Sequence, residues 1–156
     1  MVTITITCTM NIRLSERLQR VVDALPLAPG LRVLEIGGAP GAAARAVAAR
    51  VVPHGHVLVL DRSPAGIALT QSHCSEEIAA GVLSTLCASV ENFFLPEGTE
   101  PFDIAFACRV GALDGRHPQK YEPALVCIAR ALAPGGRLFV DATEPLVEID
   151  LRGTKF

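Results

Sequence analysis

The chain has 156 residues, which is the length of a single globular domain. Half of its residues are hydrophobic, so the composition excludes a largely disordered protein. The 14 Lys and Arg residues against 16 Asp and Glu give a net charge of −2, and no basic region would hold a polyanion. We therefore expect a small-molecule substrate, with no nucleic-acid partner and no membrane partner.

The cysteines and the apolar runs indicate a cellular location. None of the five cysteines forms a C-x-x-C pair or has paired histidines nearby, so we expect free thiols and no metal site. Four of them lie in apolar runs, where a thiol packs as a small hydrophobic group. No apolar run reaches the length of a transmembrane helix, and the N-terminus lacks the basic segment of a signal peptide. These features predict a cytoplasmic protein.

Short apolar runs alternate with amphipathic stretches along the chain. The first element is a helix that Ser15 caps and that continues through Leu25. Strands are predicted at Arg32–Ile36, His56–Asp61, Val82–Ala88, Phe102–Cys108 and Arg137–Asp141. The helices between them are predicted at 42–52, at 64–80 with Ser63 as N-cap and Gly81 as the stop, and at 121–132, ending at Pro134–Gly136.

This alternation predicts the fold class. Near-continuous apolar strands joined by helices indicate a parallel sheet that helices cover on both faces. We therefore predict an α/β fold with three αβα layers around a Rossmann-like, doubly wound, mostly parallel sheet. A single domain is expected over 1–156, with its core at about 14–142.

A glycine-rich turn lies where such a sheet binds its ligands. Gly37, Gly38 and Gly41 follow the first strand and open a helix, so that the backbone can approach a ligand and present free N–H groups. Asp61 ends the second strand, where an acidic side chain accepts hydrogen bonds from both hydroxyls of a ribose. Together they predict a nucleoside site. The alternative is a tight turn, with Asp61 as a cap of the next helix.

The glycine spacing argues against a dinucleotide. No window contains G-x-G-x-x-G, and Pro40 removes an N–H group where a pyrophosphate would need one. No G-K-[ST] sequence follows, so a P-loop is absent. A nicotinamide-dependent oxidoreductase is therefore the less favoured alternative.

Several motifs in order resemble those of the class I S-adenosylmethionine-dependent methyltransferases. Residues Val33–Gly41, VLEIGGAPG, resemble the first motif of that family, and His56–Asp61 resembles its second strand with the ribose-binding acid. Phe102–Ala107 resembles the fourth-strand motif, and Leu132–Leu138 resembles the turn into the fifth strand. The resemblance covers about residues 14–142. It implies S-adenosyl-L-methionine as the cofactor and methyl transfer as the activity.

The same resemblance implies a set of cofactor-binding residues. The methionine end of the cofactor would be bordered by Glu35, Gly37, Gly38, Ala39 and Gly41. Asp61 would hold the ribose, and the adenine would be flanked by Arg62, Ser89 and Val90. The methionine and the transferable methyl group would lie next to Cys108 and Arg109. Two positions depart from the family pattern. Ala39 replaces the middle glycine of the turn, and Ser89 replaces the usual acid near the adenine.

The chain also departs from the family at its C-terminal end. The family's seven-stranded sheet continues past the fifth strand with a helix and an antiparallel hairpin, whereas only 15 residues follow Asp141. The fifth strand would then be an exposed edge, which natural proteins cover. We predict that Leu146–Leu151, the alternating segment Val2–Cys8, or both add a strand within the chain or across a homodimer. The alternative is that the ends, 1–13 and 143–156, are frayed.

Methyl transfer from a sulfonium depends on positioning more than on a specialised side chain. His117, in the loop after the fourth strand, is the candidate general base, and a solvated loop histidine is the alternative reading. Arg109 either neutralises an acidic substrate or pairs with Asp103 or Asp114. We predict methyl transfer to an unidentified small molecule. The alternative is a protein that binds the cofactor without catalysis.

Overall fold

A computed structural model describes residues 13–142 and 146–154. Within these residues the helices are α1 (Glu16–Ala24), α2 (Ala42–Val51), α3 (Pro64–His73), α4 (Ser75–Ala79) and α5 (Pro118–Ala131). The strands are β1 (Arg32–Ile36), β2 (His56–Asp61), β3 (Leu83–Cys87), β4 (Phe102–Cys108), β5 (Leu132–Asp141) and β6 (Val147–Ile149). The strand predicted over Val2–Cys8 lies outside the described residues.

The strands form one sheet with the order β3-β2-β1-β4-β5-β6. Strands β1 to β5 are parallel, and β6 is antiparallel to β5. Because the chain leaves β1 toward β2 and β3 and later returns to place β4 on its other side, the connections reverse between β1 and β4. The predicted doubly wound, mostly parallel Rossmann-like fold is confirmed.

The sheet separates two hydrophobic clusters. Leu34 and Ile36 of β1 belong to the cluster under α5, whereas Val33 belongs to the cluster under α1 and α2. Successive side chains of a strand point to opposite faces, so a strand covered on both faces must be apolar throughout. This explains why the strand sequences are nearly continuous apolar runs.

The helix predicted over 64–80 is interrupted at Cys74, so α3 and α4 are separate helices. The Cys74 side chain is fully buried, and its Sγ lies 3.7 Å from the carbonyl oxygen of Gly41. The bend between α3 and α4 therefore lies at the residue whose thiol is buried against the glycine turn. Among the predicted core cysteines, Cys74 and Cys127 are buried, but Cys87 is exposed at the end of β3.

The fifth strand begins at Leu132 and not at Arg137 as predicted. Its first residue pairs with Phe102, and the register shifts before Ile104, so the Pro-Gly-Gly sequence lies within an irregular strand. The α5 helix also begins earlier than predicted, with Pro118 in its first turn. Proline fits there because the first helical N–H groups have no partner within the helix.

Strand β6 covers the edge of β5, as predicted for the segment Leu146–Leu151. Ile149 pairs with Leu138 and Val147 pairs with Val140. Arg137 Nε and Nη2 donate hydrogen bonds to the two carboxylate oxygens of Glu148, each at 2.8 Å. The C-terminal segment therefore adds a strand within the chain.

The described part of the chain contains no helix long and apolar enough to cross a bilayer. Over the same residues, no group of three or more His, Cys, Asp or Glu side chains is arranged to hold a metal ion.

Candidate functional site

The glycine turn after β1 has a conformation that requires glycine at two positions. Gly37 has φ +68°, and its N–H group donates to the carbonyl oxygen of Leu60 at 2.7 Å. A Cβ atom on Gly37 would lie 2.8 Å from Val110 Cγ2. Gly41 has φ +102° and precedes α2 without a side-chain cap. Ala39 is not among the positive-φ residues, so its methyl group is compatible with the turn.

Asp61 connects the end of β2 to this turn. Its Oδ2 accepts a hydrogen bond from the Ala39 N–H at 3.2 Å, and its Oδ1 accepts one from the Ser63 N–H at 2.9 Å. The N-cap of α3 is Ser63, whose side chain accepts from the Gly66 N–H, so Asp61 is not that cap. Each carboxylate oxygen retains a second lone pair for a ligand hydroxyl.

A first cavity of about 290 Å³ opens beside Asp61 at the carboxyl ends of the strands. Its lining includes four of the predicted residues, Asp61, Arg62, Ser89 and Val90. The candidate base His117 also lines this cavity. Glu91 and Lys120 complete its wall as an ion pair at 3.2 Å, which the sequence analysis did not find because their proximity depends on how α5 packs.

A second cavity of about 420 Å³ lies on the other side of the turn. Glu35, Gly38, Ala39 and Cys108 line it, together with residues of α1. Gly37 and Arg109 border both cavities. The structure therefore brings the predicted residues together around two adjoining spaces.

Gly41 is the one predicted site residue that lines neither cavity. A Cβ atom there would lie 2.7 Å from Cys74 Sγ, so Gly41 packs against the bend between α3 and α4. Gly41 therefore shapes the turn and lines neither cavity.

Glu35 is a buried carboxyl group, with 4% of its surface exposed. Its Oε2 atom has no hydrogen-bond partner among residues 13–142 and 146–154. Burial and the nearby charge of Asp61 raise the pKa of Glu35 to about 8, so at neutral pH the protonated form is favoured in the absence of a ligand. A buried polar atom without a partner is rare in native proteins, and here it belongs to a residue of the cavity wall.

Cys108 and Asp141 end the neighbouring strands β4 and β5. Burial, together with the charges of Glu35 and Asp141, raises the pKa of Cys108 to about 12, so its thiol stays protonated and is a poor nucleophile. Asp141 is buried, and its Oδ2 forms an ion pair with Arg17 Nη2 at 2.7 Å that lacks hydrogen-bond alignment. The sequence analysis missed this pair because no local signal links α1 to the end of β5.

Arg109 is held through its backbone, whereas its side chain is unpaired. Its φ is +53°, its N–H donates to the Asp141 carbonyl at 3.1 Å, and its carbonyl accepts from Arg116 Nη2 at 2.6 Å. The guanidinium group forms no hydrogen bond or ion pair with any other described residue. The two predicted partners are engaged elsewhere.

The first of those partners, Asp103, accepts a hydrogen bond from the Arg32 N–H at 2.9 Å. The second, Asp114, forms an ion pair with Arg116 at 2.8 Å. The prediction that Arg109 pairs with Asp103 or Asp114 is therefore wrong, and its guanidinium group remains available at the boundary of the two cavities.

Sequence comparison places these features in a known family. The family described as a methyltransferase domain matches residues 33–136. The ubiquinone/menaquinone biosynthesis C-methyltransferase UbiE of Ectopseudomonas mendocina is 30% identical over 136 residues, which are 84% of this chain and 51% of the relative. The chain thus spans about half the length of this curated relative.

Solved structures with the same fold include the pyocyanin biosynthetic protein PhzM, with a TM-score of 0.64 and 21% identity over 80% of this chain and 35% of PhzM. A methyltransferase from Geobacter sulfurreducens in complex with S-adenosyl-L-homocysteine has a TM-score of 0.62 and 20% identity over 81% of this chain and 47% of its own. The [4+2]-cyclase SpnF has a TM-score of 0.62 and 25% identity over 79% of this chain and 42% of its own. On the family match, the chain belongs to the methyltransferase domain family.

Proposed function

We propose that the protein is an S-adenosyl-L-methionine-dependent methyltransferase that acts on a small molecule. The family match and the relative UbiE, a C-methyltransferase, support the reaction. The neighbour crystallised with S-adenosyl-L-homocysteine supports the cofactor. The observation that carries the proposal is the pair of cavities that meet at Gly37, with Asp61 in one and the unpartnered Glu35 oxygen at the other.

The residues around these cavities fit the chemical groups of the cofactor. The free lone pairs of Asp61 suit the ribose hydroxyls, and Arg62, Ser89 and Val90 would border the adenine. The unpartnered Oε2 of Glu35 suits the ammonium group of the methionine end, which would also favour the ionised carboxylate. Gly38 permits this approach, because a Cβ atom there would lie 2.8 Å from that same oxygen.

When bound, the cofactor supplies a methyl group whose bond to sulfur breaks, with the electron pair passing to sulfur, as the acceptor atom bonds to carbon. The residues of this chain bind and orient the two reactants, and positioning alone lowers such a barrier by about 7–11 kcal/mol. His117 lines only the first cavity, whereas Cys108 lines the second. We therefore assign His117 no step in the reaction.

Isothermal titration calorimetry with S-adenosylmethionine, S-adenosylhomocysteine and NAD tests the proposal. We expect the first two to bind and NAD to give no heat. Asp61→Ala should weaken binding of S-adenosylhomocysteine by about tenfold to a hundredfold, since hydrogen bonds to charged groups contribute about 1.5–3 kcal/mol. The matched control is Asp150→Ala, because Asp150 lies outside both cavities and pairs with Arg152. Equal affinities of wild-type protein and Asp61→Ala would contradict the assignment.

A second function is favoured by one neighbour. SpnF shares the fold and is a [4+2]-cyclase, so this fold also supports an activity other than methyl transfer. Transfer of a labelled methyl group from the cofactor to a panel of small acceptors separates the two. Binding of the cofactor without label transfer to any acceptor would favour the second function.

We further propose that the protein acts in the cytoplasm and forms a homodimer. The free thiols Cys74, Cys108 and Cys127 support a reducing compartment. The outer edge of β6 supports self-association, because β6 is the last strand of the described sheet and Val147 is half exposed. The mass of the protein in solution tests the dimer, and a monomer at all concentrations would contradict it.

A further inference from the structure

We propose that Arg109 binds the acceptor as an anion, so that the substrate is a small molecule with an acidic hydroxyl or carboxyl group. This inference rests on the proposed function, and it names the substrate class of the same site. Arg109 would then be a specificity-determining residue. It would hold the ionised oxygen that receives the methyl group.

The guanidinium group of Arg109 has no partner among the described residues. Around the two cavities, Arg17 is paired with Asp141, Arg116 with Asp114 and Lys120 with Glu91. Arg62 also forms no ion pair with a described residue, but it lines only the first cavity, whereas Arg109 borders both. Arg109 is exposed and makes no such contact with the described residues. A planar guanidinium group with free donors is suited to bind an oxyanion.

The backbone of Arg109 has a left-handed conformation. Arg109 has a positive φ, a conformation that residues with a side chain rarely adopt, and such residues cluster at functional sites. Two hydrogen bonds hold this conformation, one to the carbonyl of Asp141 and one from Arg116. They fix where the side chain leaves the end of β4, at the boundary of the two cavities.

The groups that face Arg109 carry little uncompensated negative charge. From β1, the pKa of Glu35 is raised to about 8, so this carboxyl group is largely neutral at pH 7 without a ligand, and with the cofactor bound the ammonium group would match its charge. From β4, the pKa of Cys108 is raised to about 12, so the thiol is neutral. From β5, Asp141 is matched by Arg17 of α1, and Asp61 of β2 accepts two backbone hydrogen bonds. The second cavity therefore presents the charge of Arg109 without an equivalent counter-charge.

A bound cofactor would bring a second positive charge close to Arg109. A positively charged sulfonium near the boundary of the cavities would be repelled by Arg109, and an anionic acceptor between them would remove that repulsion. The guanidinium group would also favour ionisation of an acidic acceptor, because a nearby positive charge stabilises its conjugate base. The reaction would then need no general base, and the proton would leave to solvent before the methyl group is transferred.

The first experiment compares binding of S-adenosylmethionine, which is a cation at sulfur, with binding of S-adenosylhomocysteine, which is not. Arg109→Met should raise the affinity for the first relative to the second by about tenfold. Arg109→Lys should keep the wild-type ratio, and the exposed Arg130→Met on α5 is the matched control. If Arg109→Met weakens both ligands equally, Arg109 binds the carboxylate of the cofactor, and the proposal is overturned.

The second experiment uses para-nitrophenol, a phenol whose ionised form is coloured, with protein saturated with S-adenosylhomocysteine. The wild-type protein and Arg109→Lys should lower the pKa of the bound probe by about 1, seen as added phenolate absorbance at constant pH. Arg109→Met should abolish this increase while keeping the wild-type circular dichroism spectrum. No added phenolate with the wild-type protein overturns the proposal. Failure of S-adenosylhomocysteine to bind at all would instead contradict the proposed function.

Discussion

The two ends of the sheet both carry cavities, but their chemistry differs. A groove of about 600 Å³ lies between β5 and β6 near the start of β5, and it is larger than either cavity beside the glycine turn. In that groove, the arginines are matched, Arg137 by Glu148 and Arg152 by Asp150. The cavities beside the turn instead contain an unpartnered carboxyl oxygen and an unpaired guanidinium group. On this contrast we propose that the end beside the glycine turn, and not the larger groove, binds the ligand.

The glycines show the same contrast. Gly135 borders the larger groove with φ +79°, and a Cβ atom there would have nothing within 4 Å. A Cβ atom on Gly38 would lie 2.6 Å from Glu35 Cδ. Gly135 thus serves a local turn, whereas Gly38 leaves room for the group that faces the cavity.

Among the variants that test this comparison, we expect the largest effect from Gly38→Ala. The new methyl group must displace the Glu35 carboxyl, so we expect binding of S-adenosylhomocysteine to fall by about a hundredfold or more. Gly135→Ala should cost about 1 kcal/mol of stability and leave binding unchanged. Calorimetry and chemical denaturation of both variants measure these effects. Similar affinities of the two variants would show that the distinction between the ends is wrong.

An intermediate effect is expected from Glu35→Gln. Because the pKa of Glu35 rises from 4.5 in the unfolded chain to about 8 in the folded protein, the folded state retains a proton that the unfolded state has lost. Wild-type stability should therefore fall as the pH rises from about 5 to 8 and then level off. Above that window, the free energy of unfolding of the variant should exceed that of the wild type by at most about 5 kcal/mol. Denaturation at several pH values measures the difference, and parallel curves for the two proteins would argue against a buried protonated carboxyl.

The smallest effect is expected from Glu148→Gln at the other end. The pair between Arg137 and Glu148 is about half exposed on both sides, and exposed ion pairs contribute little to stability. We expect no measurable change in denaturation midpoint and none in cofactor affinity. A large decrease in the denaturation midpoint or in the cofactor affinity would mean that the β5–β6 edge is energetically coupled to the site.

The sequence predicted the elements whose burial pattern is strong. The bounds of β1, β2 and β4 agree with the predicted ones, because these central strands are nearly continuous apolar runs. The break at Cys74 and the early start of β5 were not predicted, since the first depends on a buried thiol contact and the second on pairing with Phe102.

The candidate site was predicted where residues are close in sequence or lie at strand ends. Glu35, the glycine turn and Asp61 follow this rule. The pairing of Arg17 with Asp141 and the conformation of Arg109 depend on how α1 and the loop after β4 pack, and no local pattern encodes that. The binding roles of these residues remain predictions that the proposed variants test.

The ion pair between Arg17 and Asp141 joins two elements that lie at the two ends of the described core, α1 and the end of β5. The segment that matches the family, 33–136, excludes both residues. A truncated protein with only that segment would retain the glycine turn, Asp61 and the fourth-strand motif, yet it would lack the α1 wall of the second cavity and the last residues of β5. Gene boundaries drawn around the family match alone would thus yield a protein whose second cavity lacks the wall that α1 provides.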